Sequence, residues 1–218
     1  KQKQFITDAG HELKTPITVI ATSLKVLEME SGENKWIDKS LAQTEKLRDL
    51  VNSLVSLSRL DEEQSPLKMA EFPISEAISE TAESFRDYAE ANGHELQLEI
   101  APALTYTGDE YAIRQLVSIL LDNAVKYADE HACIKLSLEK GKKGPVIRTM
   151  NPCTGLTRQQ VERLFDRFYR VDQSRTTGGF GIGLSMARSI AEGHKGSIKA
   201  TCCEENKIEF TVLLGKCV

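Results

Sequence analysis

FITDAGHELKTPITVI, residues 5–20, carries two patterns at once. Phe5, Ala9, Leu13, Ile17 and Ile20 recur at steps of three and four, the spacing of one packed helix face. His11 and Thr15 lie four apart and stack on another face of the same helix. Glu12 follows the imidazole directly, so a carboxylate accompanies it. Pro16 falls inside the apolar period, where it removes a backbone donor and crowds the preceding turn; a bend just beyond His11 is expected. An ordinary surface helix with one incidental histidine leaves that tolerated proline unexplained.

Outward from this stretch, the helical pattern runs to about residue 30, and the polar turn SGENK occupies residues 31–35. A second helix is expected from about Trp36 to Leu60. Ile37, Leu41, Thr44, Arg48, Val51, Leu54 and Ser58 trace its near-heptad line, and Leu47, Leu50, Val55 and Leu57 widen it. Two helices of about 25 residues form an antiparallel hairpin about 35 Å long at 1.5 Å per residue. Each keeps an apolar face wider than one neighbour covers. A second copy covers it, which predicts a symmetric four-helix bundle and a homodimer through residues 1–60.

The charged run DEEQSP, residues 61–66, ends the helical period and reads as a linker. It divides the 218 residues into domains at 1–62 and 67–218. A formal charge of −4 argues against nucleic acid as a partner. No run approaches the ~18 apolar residues that a membrane helix needs, so no membrane contact is expected of these residues. The start, KQKQFI, enters a helical pattern with no cap or leader and reads as cut from a longer chain. Cys133, Cys153, Cys202, Cys203 and Cys217 are odd in number and unpaired in spacing, which predicts buried or half-buried thiols in a reducing compartment.

The second domain alternates strand and helix patterns. Strands are expected at 68–73, 95–100, 133–140, 146–150, 196–203 and 207–214. Helices are expected from Ile74 through Ala89, from Tyr111 through Val125, over 156–170 and over 182–193. Residues 105–110 read as a lead into the second of these helices, and VDQSRTTGGFG, residues 171–181, as a mobile polar segment. The fold class is α+β: a helical hairpin followed by a layered α/β sandwich.

Chemistry gathers at two places in the sandwich. LLDNAVKYA, residues 120–128, sets Asp122, Asn123, Lys126 and Tyr127 in a run otherwise built for burial. An amide oxygen is a hard ligand suited to Mg²⁺, and an ammonium suits phosphate. GGFGIGLSMAR, residues 178–188, runs glycines into a helix start, where free amides and the helix dipole attract anions. Asn151 and Gly155 of NPCTG, residues 151–155, belong to a loop on the same cleft; LFDRFYR adds Phe165, Phe168 and Tyr169 as packing anchors and Arg167 and Arg170 as phosphate partners.

HELKTP, residues 11–16, resembles the phosphoacceptor box of sensor histidine kinases, and LLDNAVKYA their asparagine box. LFDRFY resembles their phenylalanine box and GGFGIGL, ending at Leu184, their second glycine box. The resemblance implies a dimeric four-helix bundle and the ATP-binding sandwich shared with gyrase B, Hsp90 and MutL. It implies His11 as phosphoacceptor, Glu12 as the residue that orients and deprotonates it, and Thr15 as the residue that places water during dephosphorylation. Asn123 becomes the Mg²⁺ ligand and Lys126 a phosphate contact, with Tyr127 beside them. Gly179, Gly181 and Gly183 become the lid end around the phosphates of ATP. It further implies a response-regulator receiver domain as partner and a cytoplasmic location within a membrane-anchored bacterial sensor.

Two positions depart from that pattern. Ile119 stands where the asparagine box begins with another asparagine. NPCTG stands where the first glycine box reads Asp-x-Gly-x-Gly, so Asn151 replaces the aspartate that meets the amino group of adenine, and Cys153 replaces the first glycine. An amide oxygen accepts the same hydrogen bond without charge assistance, so weaker ATP binding is expected. Two other classes remain open at this point: an ATPase clamp of the gyrase and Hsp90 type, and a non-catalytic dimeric scaffold that binds nucleotide weakly.

Overall fold

Two long helices make up the first of the two units into which the chain divides, Lys1–Ser65 and Pro66–Val218. The structure, a computed structural model, describes residues 2–32, 34–60, 67–171, 181–203 and 206–216, with only part of the side chains in the N-terminal helices. The linker at 61–66, Gly178, Gly179 and Cys217 lie outside the described residues, as do the side chains of His11, Glu12, Thr15, Leu54 and Cys203.

Helix α1 runs Gln2–Ser31 with Pro16 inside it, and α2 runs Lys35–Leu60. Gly32 ends α1 in a left-handed conformation (φ +75°), its N–H donating to Glu28 O at 2.9 Å, as a C-terminal glycine does. Asn34 Oδ1 then accepts from Trp36 N at 2.9 Å and starts α2. Between the helices, Ile17 and Val51 are each only 3% exposed. Leu13, Val19, Ile20, Leu27 and Leu47 stay 46–59% exposed on the same two helices.

In the second unit, β1 (Ala70–Phe72) pairs antiparallel with β3 (Tyr106–Gly108). The main sheet has five strands in the order β2 (Glu95–Ile100), β4 (Cys133–Lys140), β5 (Pro145–Pro152), β7 (Lys207–Leu213), β6 (Ser197–Cys203). Only β2 and β4 run parallel; every other neighbour in the sheet is antiparallel. Helix α5 (Glu110–Tyr127) packs between α3 (Ile74–Glu83) and α7 (Gly183–Gly193). The alternation of β4, β5 and β7 buries Leu136, Leu138, Ile147, Phe210 and Val212, the sheet's share of a core that Ile78, Leu116, Leu120 and Ile190 complete from the helices.

Four expectations are corrected. The helix expected from Ile74 through Ala89 is two, α3 and α4 (Arg86–Ala91), broken at Ser84–Phe85. The hydroxyl of Ser75, in the first turn of α3, donates to Ala101 O at 2.6 Å and accepts from Leu104 N at 2.9 Å. The lead at 105–110 contains strand β3, which pairs with β1 across 34 residues of sequence at its nearest pair, Phe72 and Tyr106, and β1 shrinks to three residues to match it. The helix expected over 156–170 is only α6 (Arg158–Arg163), opened by a Thr157–Gln160 capping box. Cys133 and Cys202 are exposed rather than buried, and Cys153 is half-buried.

His194 joins three elements. Its Nε2 accepts from Asp109 N at 2.9 Å, and its Nδ1 lies 2.8 Å from Ile190 O, so the ring is a neutral tautomer with the proton on Nδ1. Asp109 in turn caps α5 through Ala112 N and accepts from Lys68 N. Burial pushes the imidazole below its ordinary value, outweighing the Ile190 carbonyl and the Asp109 charge. The unfolded chain takes up a proton near pH 6.5 that the folded histidine refuses. Stability therefore holds above that pH and declines as pH falls from 6.5 through the folded value, by up to about 1.4 kcal/mol per pH unit. Urea midpoints measured from pH 7.5 to 5 should show this slope, flattened in His194→Asn; an equal slope in both proteins would remove His194 as its source.

Candidate functional site

His11, Glu12 and Thr15 all lie in α1, a helix that continues through Pro16. The remaining candidate residues belong to the second unit and come from α5, β5, the turn after α6 and the start of α7.

On α5, Asn123 and Tyr127 are half-buried near the C-terminal end of a helix capped at its start by Asp109. Lys126 lies in the last turn, where the helix dipole favours a cation. Its Nζ sits 2.7 Å from Asp122 Oδ2, one turn earlier, so the expected phosphate contact is already held by a carboxylate. Ile119, at the departing position of the asparagine box, abuts α7: a Cβ built on Gly183 would lie 3.4 Å from its Cγ2. That contact brings the polar end of α5 and the start of α7 to one place. The N-cap residue of α7, Ile182, makes no side-chain cap bond, so the first amides of this helix are not capped by it and suit an anionic ligand. Leu184, one residue into α7, is buried and contributes to packing.

On β5, Asn151 is 2% exposed. Its Nδ2 donates to Pro152 O at 3.0 Å, and its Oδ1 has no hydrogen-bond partner among the described residues. A buried acceptor in that condition fits a ligand that brings a donor, such as the amino group of adenine. The following loop is tied to α5 by residues that sequence reasoning missed. Asp129 accepts from Thr154 Oγ1 at 2.7 Å and from Thr154 N at 3.1 Å, while Asp129 N donates to Pro152 O at 3.1 Å. The signal available was an aspartate just past the asparagine run; nothing local paired it with Thr154. Cys153 N donates to Asn206 O at 2.7 Å, fixing the loop's other side. Gly155 adopts φ +84°, a conformation glycine takes without strain.

The turn after α6 departs furthest from expectation. Phe165 packs edge-on against Phe210, and the Arg163 guanidinium lies 4.3 Å from the centre of the Tyr169 ring. Phe168 is 60% exposed with φ +63°, so it is not a packing anchor. Its N–H donates to Gly181 O at 2.8 Å. Gly181 itself has φ +68°, and a Cβ there would meet Tyr169 O at 2.6 Å and Phe168 C at 2.8 Å. This glycine is required by close backbone approach and is a fixed point beside Arg167 and Arg170; Gly179 lies outside the described residues.

Asn123 offers one oxygen to a magnesium ion, and no cluster of three or more His, Cys, Asp or Glu residues occurs among the described residues. A magnesium ion here would take its other ligands from the triphosphate and water, the usual habit of that ion.

Residues 1–63 match the His Kinase A (phospho-acceptor) domain, and residues 108–216 match the histidine kinase-, DNA gyrase B-, and HSP90-like ATPase family. The sensor protein DltS of Streptococcus agalactiae serotype V is 33% identical over 92% of this chain and 51% of its own length. The sensor protein CiaH of Streptococcus pneumoniae serotype 4 is 33% identical over 97% of this chain and 48% of its own. The chain thus spans about half the length of these relatives. Full-length ShkA in complex with AMPPNP superposes with a TM-score of 0.79 over 99% of this chain and 46% of that one; at 21% identity the likeness is one of fold. With a phospho-acceptor domain followed by an ATPase domain, the chain belongs to the sensor histidine kinases of two-component systems.

Proposed function

We propose that residues 1–62 form the dimerisation and phosphotransfer domain and residues 67–218 the ATP-binding domain of an ATP-dependent protein-histidine kinase. The observation that carries this is the buried Oδ1 of Asn151, which has no hydrogen-bond partner among the described residues and is a ready acceptor for adenine within the ATPase sandwich. One nitrogen of neutral His11 attacks the γ-phosphorus of ATP; the N–P bond forms as the bond to the β-phosphate oxygen breaks, and ADP leaves. Glu12 holds the proton on the other ring nitrogen and stabilises the developing positive ring. Lys126 releases Asp122 to meet the phosphates, joined by Arg167, Arg170 and the amides at Gly181 and Gly183. Bound magnesium, held by Asn123, supplies charge neutralisation on the triphosphate.

The phosphoryl group then passes to an aspartate of a response-regulator receiver domain. In the opposing phosphatase reaction Thr15, one turn beyond His11, holds the water that attacks the aspartyl phosphate, breaking its bond to the carboxylate and releasing inorganic phosphate. The whole protein is a membrane-anchored bacterial sensor, with this chain as its cytoplasmic part. Incubation with γ-labelled ATP and magnesium tests the reading: the label should be acid-labile and alkali-stable, as a phosphoramidate is. Acid-stable label, or turnover of ATP with no labelled protein, would place the chain with the clamp ATPases instead.

Dimerisation is supported by the apolar side chains that the single hairpin leaves half exposed, Leu13, Val19, Ile20 and Leu47 among them. Leu47→Asp puts a charge where a lone hairpin tolerates it and a bundle interior does not. Sedimentation equilibrium at tens of micromolar should give a dimer for the unaltered protein and a folded monomer for the variant. A monomer in both cases would sink the bundle.

A further inference from the structure

The end of the main sheet remote from Asn151 gathers four short segments, residues 67–69, 140–145, 194–197 and 213–216. Hydrogen bonds hold them together. Gly141 N donates to Gly144 O at 3.0 Å and closes the β4–β5 turn, while Leu214 N donates to Pro145 O at 3.0 Å. Gly215 N donates to His194 O at 3.1 Å, and Lys68 N donates to the same Asp109 whose N–H meets His194 Nε2. The four segments contain six lysines, Lys68, Lys140, Lys142, Lys143, Lys195 and Lys216, and no aspartate or glutamate. All six are exposed, and none makes an ion pair among the described residues. Of the acids within two residues of these segments, Glu139 pairs with Arg148 and Glu192 with Arg188, which leaves Glu71 on β1. A chain of net charge −4 thus carries one concentrated positive rim.

Asn151 lies six residues along β5 from Pro145, about 20 Å away, so the rim is separate from the nucleotide residues. β4 and β6 are three strand spacings apart, about 14 Å, so the lysine-bearing segments spread along an edge and do not converge on one anion. The four segments hold no arginine, whose fork reads phosphate or carboxylate in pairs, and no aromatic ring on which a nucleic-acid base could stack. Lysines are mobile point charges, and clusters of four to eight suit a surface of smeared negative charge. Met69 and Leu213, 42% and 44% exposed, stand among them as apolar side chains able to enter a headgroup layer. We propose that this rim is an interaction surface for an anionic phospholipid bilayer. The choice of lipid over another acidic partner rests on the proposed membrane anchoring, which tethers this chain near a bilayer. The expectation of no membrane contact rested on the want of an apolar span, and adsorption through charge needs none.

Sedimentation of the whole chain with lipid vesicles tests this. The chain should bind vesicles of equal parts phosphatidylglycerol and phosphatidylcholine at low salt, leave them at high salt, and ignore pure phosphatidylcholine. Each lysine near an anionic bilayer contributes about fivefold in affinity, so Lys140→Gln, Lys142→Gln and Lys143→Gln combined should weaken binding at least about tenfold. Lys25→Gln, Lys35→Gln and Lys39→Gln combined remove the same charge from α1 and α2 and should leave binding within about twofold. These lysines are all exposed, and melting curves of both variants confirm that folding is kept. Absence of vesicle binding at low salt, or an equal loss in the two triple variants, would overturn the proposal. Capture by polyglutamate in place of vesicles, lost in the rim variant, would overturn it too and assign the rim to an acidic protein. None of these failures touches the anchoring, which is read separately: recovery of the whole protein from cells free of membrane would remove it.

Discussion

Replacing His11 with alanine is expected to abolish acid-labile labelling, by at least about a thousandfold, because no other group takes over once a nucleophile is removed. Nucleotide affinity should stay within about twofold, since every residue assigned to the nucleotide lies in the second unit. Labelling with γ-labelled ATP and titration with a non-hydrolysable analogue give the two readings on one protein. The contrast with Thr15→Ala sharpens it. That variant should keep its label, because His11 itself is the nucleophile when ATP is the donor, and should lose most dephosphorylation of the regulator, where water must be held. Residual label on the His11→Ala protein would mean that the phosphoacceptor lies elsewhere. An unchanged regulator half-life in Thr15→Ala would leave that hydroxyl bonded back to its own helix, common for threonine within helices.

Asn123→Ala should lose nucleotide binding only where magnesium supports it. Supporting groups outside a metal's direct ligands are worth ten- to a hundredfold, so loss of a direct ligand is expected to cost about a hundredfold or more in ATP affinity with magnesium present. With a chelator in place of magnesium the variant and the unaltered protein should converge. Asn123→Asp retains an oxygen at the same reach and should recover much of the loss. A loss equally large with the chelator would show that Asn123 supports the fold of α5 and not the ion.

Much of the sandwich was legible because apolar residues recur at alternate positions in most of its strands. ELQLEI and CIKLSLEK declare one apolar face each and β7 follows the same rule, whereas β5 buries the adjacent Val146 and Ile147. What escaped depended on distant partners. Tyr106–Gly108 is three residues long and becomes a strand only because Ala70–Phe72 lies beside it. Phe85 and Ala89 continue the period of α3, so the break at Ser84–Phe85 leaves no trace in spacing. Residues 164–170 have helical composition, yet Phe168 turns left-handed to meet Gly181 across the chain. The Asp122–Lys126 pair is separated by four residues and was readable in advance as a helix ion pair. The buried Thr149 hydroxyl, without a hydrogen-bond partner among the described residues, was not, because Leu136 and Phe210 flank it only after three strands have assembled.

The hydrogen bond from Phe168 to Gly181 means that the chain leaves and returns at nearly one point. For a segment whose ends already meet, added length enters folding free energy only as a logarithm, and doubling it costs about 0.6 kcal/mol. Genetically, a change of chain length between these two anchored residues is expected to leave the melting temperature of the second unit nearly unaltered. Such alterations would be written in the kinetics of phosphate handling and would pass unseen by any screen that selects for folded protein.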